Sequence, residues 1–172
     1  MNSILIFCLR ALGLLLIQQL LLNHMPIGNG LCFAFILPLA LYTLPFDTER
    51  TQLILCGFVL GLITDAFESS YGLYTLSFSI LAYAIGLLRN RFYGREESES
   101  KQNGILDNGV VKNLPFLFTC NFIVLLAFYL IENFSASGIG YAVLRALLSS
   151  ILSTLFMASF QFLFPSKRMN NR

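Results

Sequence analysis

The residues with the most distinctive chemistry are charged side chains inside apolar segments. Asp65 ends one apolar run, and Arg145 interrupts another. A charge at the centre of a membrane helix costs roughly 2.5–3.5 kcal/mol on insertion scales, so each of these groups needs a partner. The third and sixth predicted helices are antiparallel, which places both residues in the same half of the membrane. We therefore expect an Asp65–Arg145 ion pair, with Glu68 as the competing partner of Arg145.

Two glycines share a helix face with Asp65. Gly57 and Gly61 are four residues apart, Asp65 follows four residues later, and Phe58 lies beside this face. Small residues at this spacing allow two helix backbones to approach closely in lipid, where van der Waals contacts drive association. The pattern therefore indicates either packing inside the protein or a docking face for the transmembrane helix of a partner, and the sequence leaves both open.

A polar stripe follows Arg145 along the same predicted helix. Arg145, Ser149 and Ser153 recur every four residues, so they share one face. One interpretation is an inward-facing stripe whose hydroxyls bond to carbonyls of their own helix. The other is the polar wall of a substrate cavity.

Residues for catalysis or metal binding do not form a recognisable set. His24 is the one histidine in the sequence. The four cysteines lack the spacing of a metal site, and we interpret them as small packing residues. The sequence contains no G-x-S-x-G, H-E-x-x-H or glycine-rich phosphate loop. We therefore predict no catalytic residue, no metal and no cofactor, and hence a protein that is not an enzyme.

The composition indicates an integral membrane protein that is surrounded mostly by lipid. Of its 172 residues, 56% are hydrophobic and 12% are charged, whereas soluble domains carry about 25% charged residues. A soluble domain of this size could not bury so many apolar side chains. A formal net charge of +2 is also too small to indicate a nucleic-acid partner. These values exclude a soluble enzyme, a nucleic-acid-binding domain and a disulfide-rich secreted module.

Six segments have the length and apolarity of transmembrane helices. A membrane helix needs about 20 residues, and backbone groups in lipid must be satisfied within the segment. We predict one all-α membrane domain over residues 1–172, a six-helix transmembrane bundle with helices at 4–22, 27–44, 51–67, 71–88, 114–131 and 141–164.

The distribution of basic residues predicts the orientation. Nine lysines and arginines fall in the second connector, the fourth connector and the C-terminal tail, and none falls in the first, third or fifth connector. The positive-inside rule therefore places both termini in the cytoplasm. The fourth connector, 89–113, is then a cytoplasmic loop, either simply solvated or a docking segment for a cytoplasmic partner.

One stretch of the third and fourth helices resembles a known family. The run from Gly57 to Asp65 has the form G-F-x-x-G-L-x-x-D, and Gly72 precedes the next helix. This pattern resembles the rod shape-determining protein MreD family. The resemblance implies that Gly57, Gly61, Asp65 and Gly72 act in packing or partner binding. It also implies a fold similar to the substrate-binding subunits of energy-coupling-factor transporters.

The resemblance further implies a non-enzymatic scaffold in the bacterial cytoplasmic membrane. Such a scaffold binds MreC and links MreB filaments to peptidoglycan synthesis by a SEDS glycosyltransferase and a penicillin-binding protein. The alternative function is that of a substrate-binding subunit of a vitamin transporter, which predicts a closed polar cavity. A small channel or carrier would instead need a water path past Asp65 and Arg145.

Overall fold

The computed structural model describes residues 3–22, 33–44, 48–99, 110–132 and 138–163. Within these ranges the secondary structure is helical and no β-strand is present, which confirms the predicted all-α class. Helix α1 passes into a short π-helical turn at Gln18–Leu22. The helices are α1 (Ser3–Ile17), α2 (Leu39–Tyr42), α3 (Arg50–Glu68), α4 (Leu73–Glu99), α5 (Val110–Glu132) and α6 (Ile139–Leu163).

Three of the described helices are long and apolar enough to cross a membrane. They are Arg50–Glu68, Asn113–Glu132 and Ile139–Phe160, with 19, 20 and 22 residues. Two shorter apolar helices, Leu9–Leu20 and Leu73–Arg89, accompany them. The composition and these spans together support a membrane protein.

The second predicted helix, 27–44, is wrong in its described part. Residues 27–32 lie outside the described ranges, and the chain from Phe33 to Ile36 is not helical. Only Leu39–Tyr42 forms a helix, which begins directly after Pro38. Proline disfavours the helical conformation in the residue before it and suits a helix start, so this segment is broken.

Serine side chains of α6 satisfy the backbone of the broken segment. The Phe33 N–H donates to Ser149 Oγ at 3.2 Å, and the Phe35 N–H donates to Ser153 Oγ at 2.8 Å. Non-helical backbone at membrane depth is tolerated only where the protein or a water-filled cavity satisfies its polar groups. The polar stripe of α6 thus faces inward, as one interpretation held, but these two hydroxyls bond to another segment.

A glutamine in the π-helical turn that follows α1 also satisfies the backbone of the broken segment. Gln18 Oε1 accepts the Ile36 N–H at 2.8 Å, and Gln18 Nε2 donates to the Ala34 carbonyl at 3.1 Å. Gln18 is buried, so its amide acts in place of the missing helical partners. The broken segment is therefore tied to both α1 and α6.

The fourth connector is shorter than the predicted loop 89–113. Helix α4 continues to Glu99, and α5 already begins at Val110. Arginine and glutamate dominate residues 89–99, and both have high helix propensity. Residues 100–109 lie outside the described ranges, so the described part of this connector is helical.

Adjacent helices pack in chain order around a buried aromatic core. Helix α4 lies between α3 and α5, and α5 also packs on α6. Tyr42 and Phe116 are fully buried with their ring centroids 5.9 Å apart. The Tyr42 hydroxyl donates to Asn121 Oδ1 at 3.2 Å, and Asn121 Nδ2 donates to Thr154 Oγ1 at 3.3 Å. The short helix α2 is thereby fixed to α5 and α6.

Replacement of Ser153 by alanine tests the support of the broken segment. The variant leaves the buried Phe35 N–H without its acceptor, so the free energy of unfolding in detergent micelles should fall by about 1–3 kcal/mol. Ser159→Ala is the matched control, because Ser159 is exposed and donates only to the Leu155 carbonyl of its own helix. That control should change the stability by less than about 0.5 kcal/mol. Equal effects of both variants would contradict this role of Ser153.

Candidate functional site: the α3–α4 hairpin and the Arg145 cluster

The two glycines of α3 form the contact surface for α4. A Cβ at Gly57 would lie 2.8 Å from both the Ala82 Cβ and the Phe78 carbonyl oxygen. A Cβ at Gly61 would overlap the Cα of Thr75 and lie 2.8 Å from its nitrogen. Both positions thus require glycine, because the backbones approach closely. Of the two interpretations of this glycine pair, the structure supports packing inside the protein.

Asp65 caps the first turn of α4 from the end of α3. Helix α4 starts at Leu73, so the residue before it is Gly72, which has no side chain to serve as an N-cap. Asp65 Oδ1 accepts the Tyr74 N–H at 3.0 Å, and Oδ2 accepts the Thr75 N–H at 2.8 Å. A carboxylate at a helix N-terminus is also favoured by the helix dipole. The Asp65 carboxylate was predicted to need a partner, and its partners are backbone amides of α4.

Two hydroxyls complete the coordination of this carboxylate. Ser70 Oγ donates to Asp65 Oδ1, and Thr75 Oγ1 donates to Oδ2. The turn that brings them together contains three residues with positive φ: Ser69 at 53°, Tyr71 at 54° and Gly72 at 94°. Glycine adopts this conformation without strain, whereas a non-glycine residue there is uncommon. Gly72 is thus needed for the backbone conformation of the turn and not for close packing, since a Cβ there would meet no atom within 4 Å.

Arg145 has a different partner from the one predicted. Its Nη1 lies 3.7 Å from Glu132 Oε2 at the end of α5, while the oxygens of Asp65 accept hydrogen bonds within the hairpin. The predicted Asp65–Arg145 pair is therefore wrong. The physical reason is local, because the tight turn after α3 places the amides of Tyr74 and Thr75 and the hydroxyl of Thr75 beside Asp65. These donors lie within ten residues of Asp65 in the sequence.

Aromatic rings surround the Arg145 guanidinium. Its Cζ lies 4.5 Å from the ring centroid of Tyr129, 5.7 Å from that of Tyr141 and 5.9 Å from that of Phe33. A guanidinium is attracted to the faces of such rings. Arg145 thereby connects α5, α6 and the broken segment, and its side chain is only 13% exposed.

Phe58 is separated from the glycine face. It is 44% exposed, whereas Gly57, Gly61 and Asp65 are buried against α4. The six residues predicted for packing or partner binding thus divide into three groups. Gly57, Gly61, Asp65 and Gly72 belong to the α3–α4 hairpin, Phe58 points away from it, and Arg145 belongs to a separate cluster with Glu132.

The described residues offer limited chemistry beyond packing. Within them, no group of three or more His, Cys, Asp or Glu side chains could hold a metal ion. Both oxygens of Asp65 are engaged in hydrogen bonds with its own hairpin. Within the described residues, Cys56 and Cys120 are not part of a disulfide, and Cys120 is buried. The charged groups of this region therefore connect helices: Asp65 links α3 to α4, and Arg145 of α6 lies beside Glu132 of α5.

The sequence reasoning missed polar partners of the broken segment, of Asp65 and of Arg145. Two sequence signals could have indicated part of this arrangement: a helix that starts after a glycine needs a cap from elsewhere, and a proline in an apolar run indicates a break. The partner of Arg145 depends on the packing of α5 against α6, which no local pattern encodes. The missed residues are Gln18, Ser70, Thr75 and Glu132.

Comparison of the chain with protein-family models, with curated proteins and with solved structures gives no match.

Replacement of Gly61 by alanine tests the close approach of α3 and α4. The added methyl group would collide with the backbone of Thr75, so we expect a loss of at least about 1–3 kcal/mol in the free energy of unfolding. Gly13→Ala is the control, because nothing lies within 4 Å of its Cβ position. That variant should keep or raise the stability, since alanine favours a helix by up to about 1 kcal/mol. A tolerated Gly61→Ala would disprove the tight contact.

Variants of Asp65 test the cap of α4. Asp65→Ala removes the acceptor of two amides and should cost about 1–2 kcal/mol, the range of a lost N-cap. Asp65→Asn keeps one acceptor oxygen, so its melting temperature should lie between those of Asp65→Ala and the unchanged protein. The charge exchange D65R/R145D should not restore the stability lost in Asp65→Arg. Restoration by that exchange would instead support a direct ion pair.

Proposed function

We propose that this chain is a non-enzymatic membrane scaffold of the MreD kind, acting in the cell-elongation complex of a bacterial cytoplasmic membrane. The observation that carries the proposal is the common role of the motif residues. Gly57, Gly61, Asp65 and Gly72 all serve one element, the α3–α4 hairpin. A motif devoted to helix packing is what a protein needs if its function is to present rigid helices to partners.

The proposed topology is a bundle that crosses the membrane six times, with both termini in the cytoplasm. Its support is the separation of basic residues along the sequence, nine on one side and none on the other. Arg50 at the start of α3 then lies at the cytoplasmic surface, and the turn after Glu68 lies outside. The charged extension of α4, residues 89–99, projects toward the side of the MreB filament.

The proposed partner face lies on the exposed side of α3. The glycine face is covered by α4, so it is not available to the transmembrane helix of MreC. Phe58, Val59, Leu62 and Ile63 are all at least 41% exposed within a candidate membrane span. A second helix could pack there through van der Waals contacts. We therefore assign MreC binding to the side of α3 that carries Phe58. In this proposal, the complex assembled there also contains the SEDS glycosyltransferase and the penicillin-binding protein that synthesise peptidoglycan.

Photocrosslinking in cells tests this assignment. A benzophenone amino acid at position 58 should crosslink to MreC. Position 148 of α6 is the matched control, since Leu148 is 42% exposed and lies at a similar depth from its helix start. Depletion of the protein should give rounded cells if the scaffold function holds. Equal crosslinking at both positions, or no MreC adduct at position 58, would contradict the proposed face.

A second candidate function is that of a substrate-binding subunit of a vitamin transporter. The observation that favours it is the broken segment from Phe33 to Pro38, because transporters build binding sites from interrupted membrane helices. Phe35 lies beside Tyr74, with ring centroids 5.8 Å apart, and Tyr74 beside Phe128, at 4.9 Å. Native mass spectrometry separates the two functions: a copurified small molecule together with normal cell shape on depletion would favour the transporter subunit.

A further inference from the structure

The turn between α3 and α4 presents a tyrosine side chain that does not pack inside the protein. Tyr71 is fully exposed, so its ring is not buried by any part of the chain that the structure describes. The neighbouring Ser70 hydroxyl, by contrast, donates to the Asp65 carboxylate. The ring of Tyr71 is therefore available to whatever surrounds this turn.

The backbone of Tyr71 has a conformation that other residue types adopt more easily. Its φ of 54° lies in the left-handed region, where the Cβ of most residues is sterically unfavourable and where glycine, asparagine and aspartate are more common. A residue in such a conformation persists where its surroundings compensate for the strain. Among the described residues no contact of the ring does so, which indicates a role for the ring outside the protein.

The position of the turn identifies these surroundings. Tyr71 follows the candidate membrane span Arg50–Glu68 by three residues and precedes the apolar helix Leu73–Arg89 by two. It therefore lies where the hydrocarbon core of a bilayer meets the headgroups. Phe67, in the last turn of α3, is 65% exposed at the same boundary. Aromatic side chains prefer this layer, because a tyrosine has an apolar ring and a polar hydroxyl.

A third exposed aromatic residue lies at the same end of the bundle. Tyr141 is the third residue of α6 and is 51% exposed. Helix α6 begins beside the end of α5, as the ion pair between these two helices shows. Near the end of α5, the ring centroid of Phe128 lies 4.9 Å from that of Tyr74 at the start of α4. Phe67, Tyr71 and Tyr141 are thus three exposed rings at one level of the bundle.

We propose that Phe67, Tyr71 and Tyr141 anchor this end of the bundle in the headgroup layer of the membrane. The partner is the lipid surface, because residues at the boundary of a membrane span are surrounded by headgroups whether or not another protein is bound. The anchor holds Asp65, in the last turn of α3, close to the interface, where a charge costs less than at the centre of the bilayer. This inference needs a membrane-spanning chain but does not depend on the proposed scaffold function.

Tryptophan fluorescence tests the position of the anchor, because the chain contains no tryptophan. The full chain with Tyr71→Trp is reconstituted in phosphatidylcholine vesicles that carry a nitroxide either on the headgroup or near the end of the acyl chain. The headgroup nitroxide should quench this tryptophan more strongly than the acyl-chain nitroxide. Val59→Trp is the control, since Val59 is nine residues from each end of α3 and 47% exposed. Its preference for the two nitroxides should be reversed.

A second reporter tests whether the rings set the depth of the hairpin. Ile63→Trp lies within the span and is exposed. In this protein, the double replacement Phe67→Ser and Tyr71→Asn should raise the ratio of headgroup to acyl-chain quenching, because the polar turn with Asp65 is then free to move toward water. The matched control is the exchange Phe67→Tyr and Tyr71→Phe, which keeps two aromatic rings and should leave the ratio unchanged.

Two results would overturn the proposed anchor. Quenching of the tryptophan at position 71 by aqueous acrylamide and by neither nitroxide would place the turn in water. An unchanged ratio at position 63 after loss of both rings would show that they do not fix the depth. If Tyr71→Trp does not fold, Phe67→Trp reports on the same layer.

Discussion

A bilayer cannot supply hydrogen bonds to a backbone that leaves the helical conformation, and this constraint explains why Gln18, Ser149 and Ser153 are buried inside the protein. Two of the described stretches that are not helical are residues 33–38 and residues 69–72, which follow the candidate span Arg50–Glu68. At the first place, Gln18, Ser149 and Ser153 replace the missing backbone partners. At the second, Asp65 replaces them. Polar side chains thus stabilise the first break inside the protein and the second at the end of the α3 span.

The same constraint explains what the sequence could and could not predict. The all-α class follows from composition and from apolar segments of membrane length. The need of Asp65 for a partner was also predictable, because a charge in lipid is costly. The partner itself was not, since the amides of Tyr74 and Thr75 reach Asp65 only through a turn with left-handed residues. Contacts between Phe35 and Ser153, 118 residues apart, depend on the whole fold.

The packing role of the motif residues changes how partner recognition is understood. A GxxxG pair can form a docking surface for a partner helix, but here both glycines pack against the neighbouring helix α4. The proposed function therefore assigns partner recognition to the outer side of α3, where larger apolar residues are exposed. The hairpin holds that side of α3 in place through close packing and the Asp65 cap. The broken segment beside Tyr74 and Phe128 is the feature that a substrate-binding protein would also require.

Hydrogen exchange in reconstituted bilayers, resolved for single amides, tests the central claim most directly. If side chains satisfy the two breaks, the amides of Phe35, Ile36, Tyr74 and Thr75 should exchange as slowly as amides in the middle of α3, although none of them has a partner in the helical pattern of its own segment. Exchange of these four amides at the rate of solvent-exposed backbone would contradict the account.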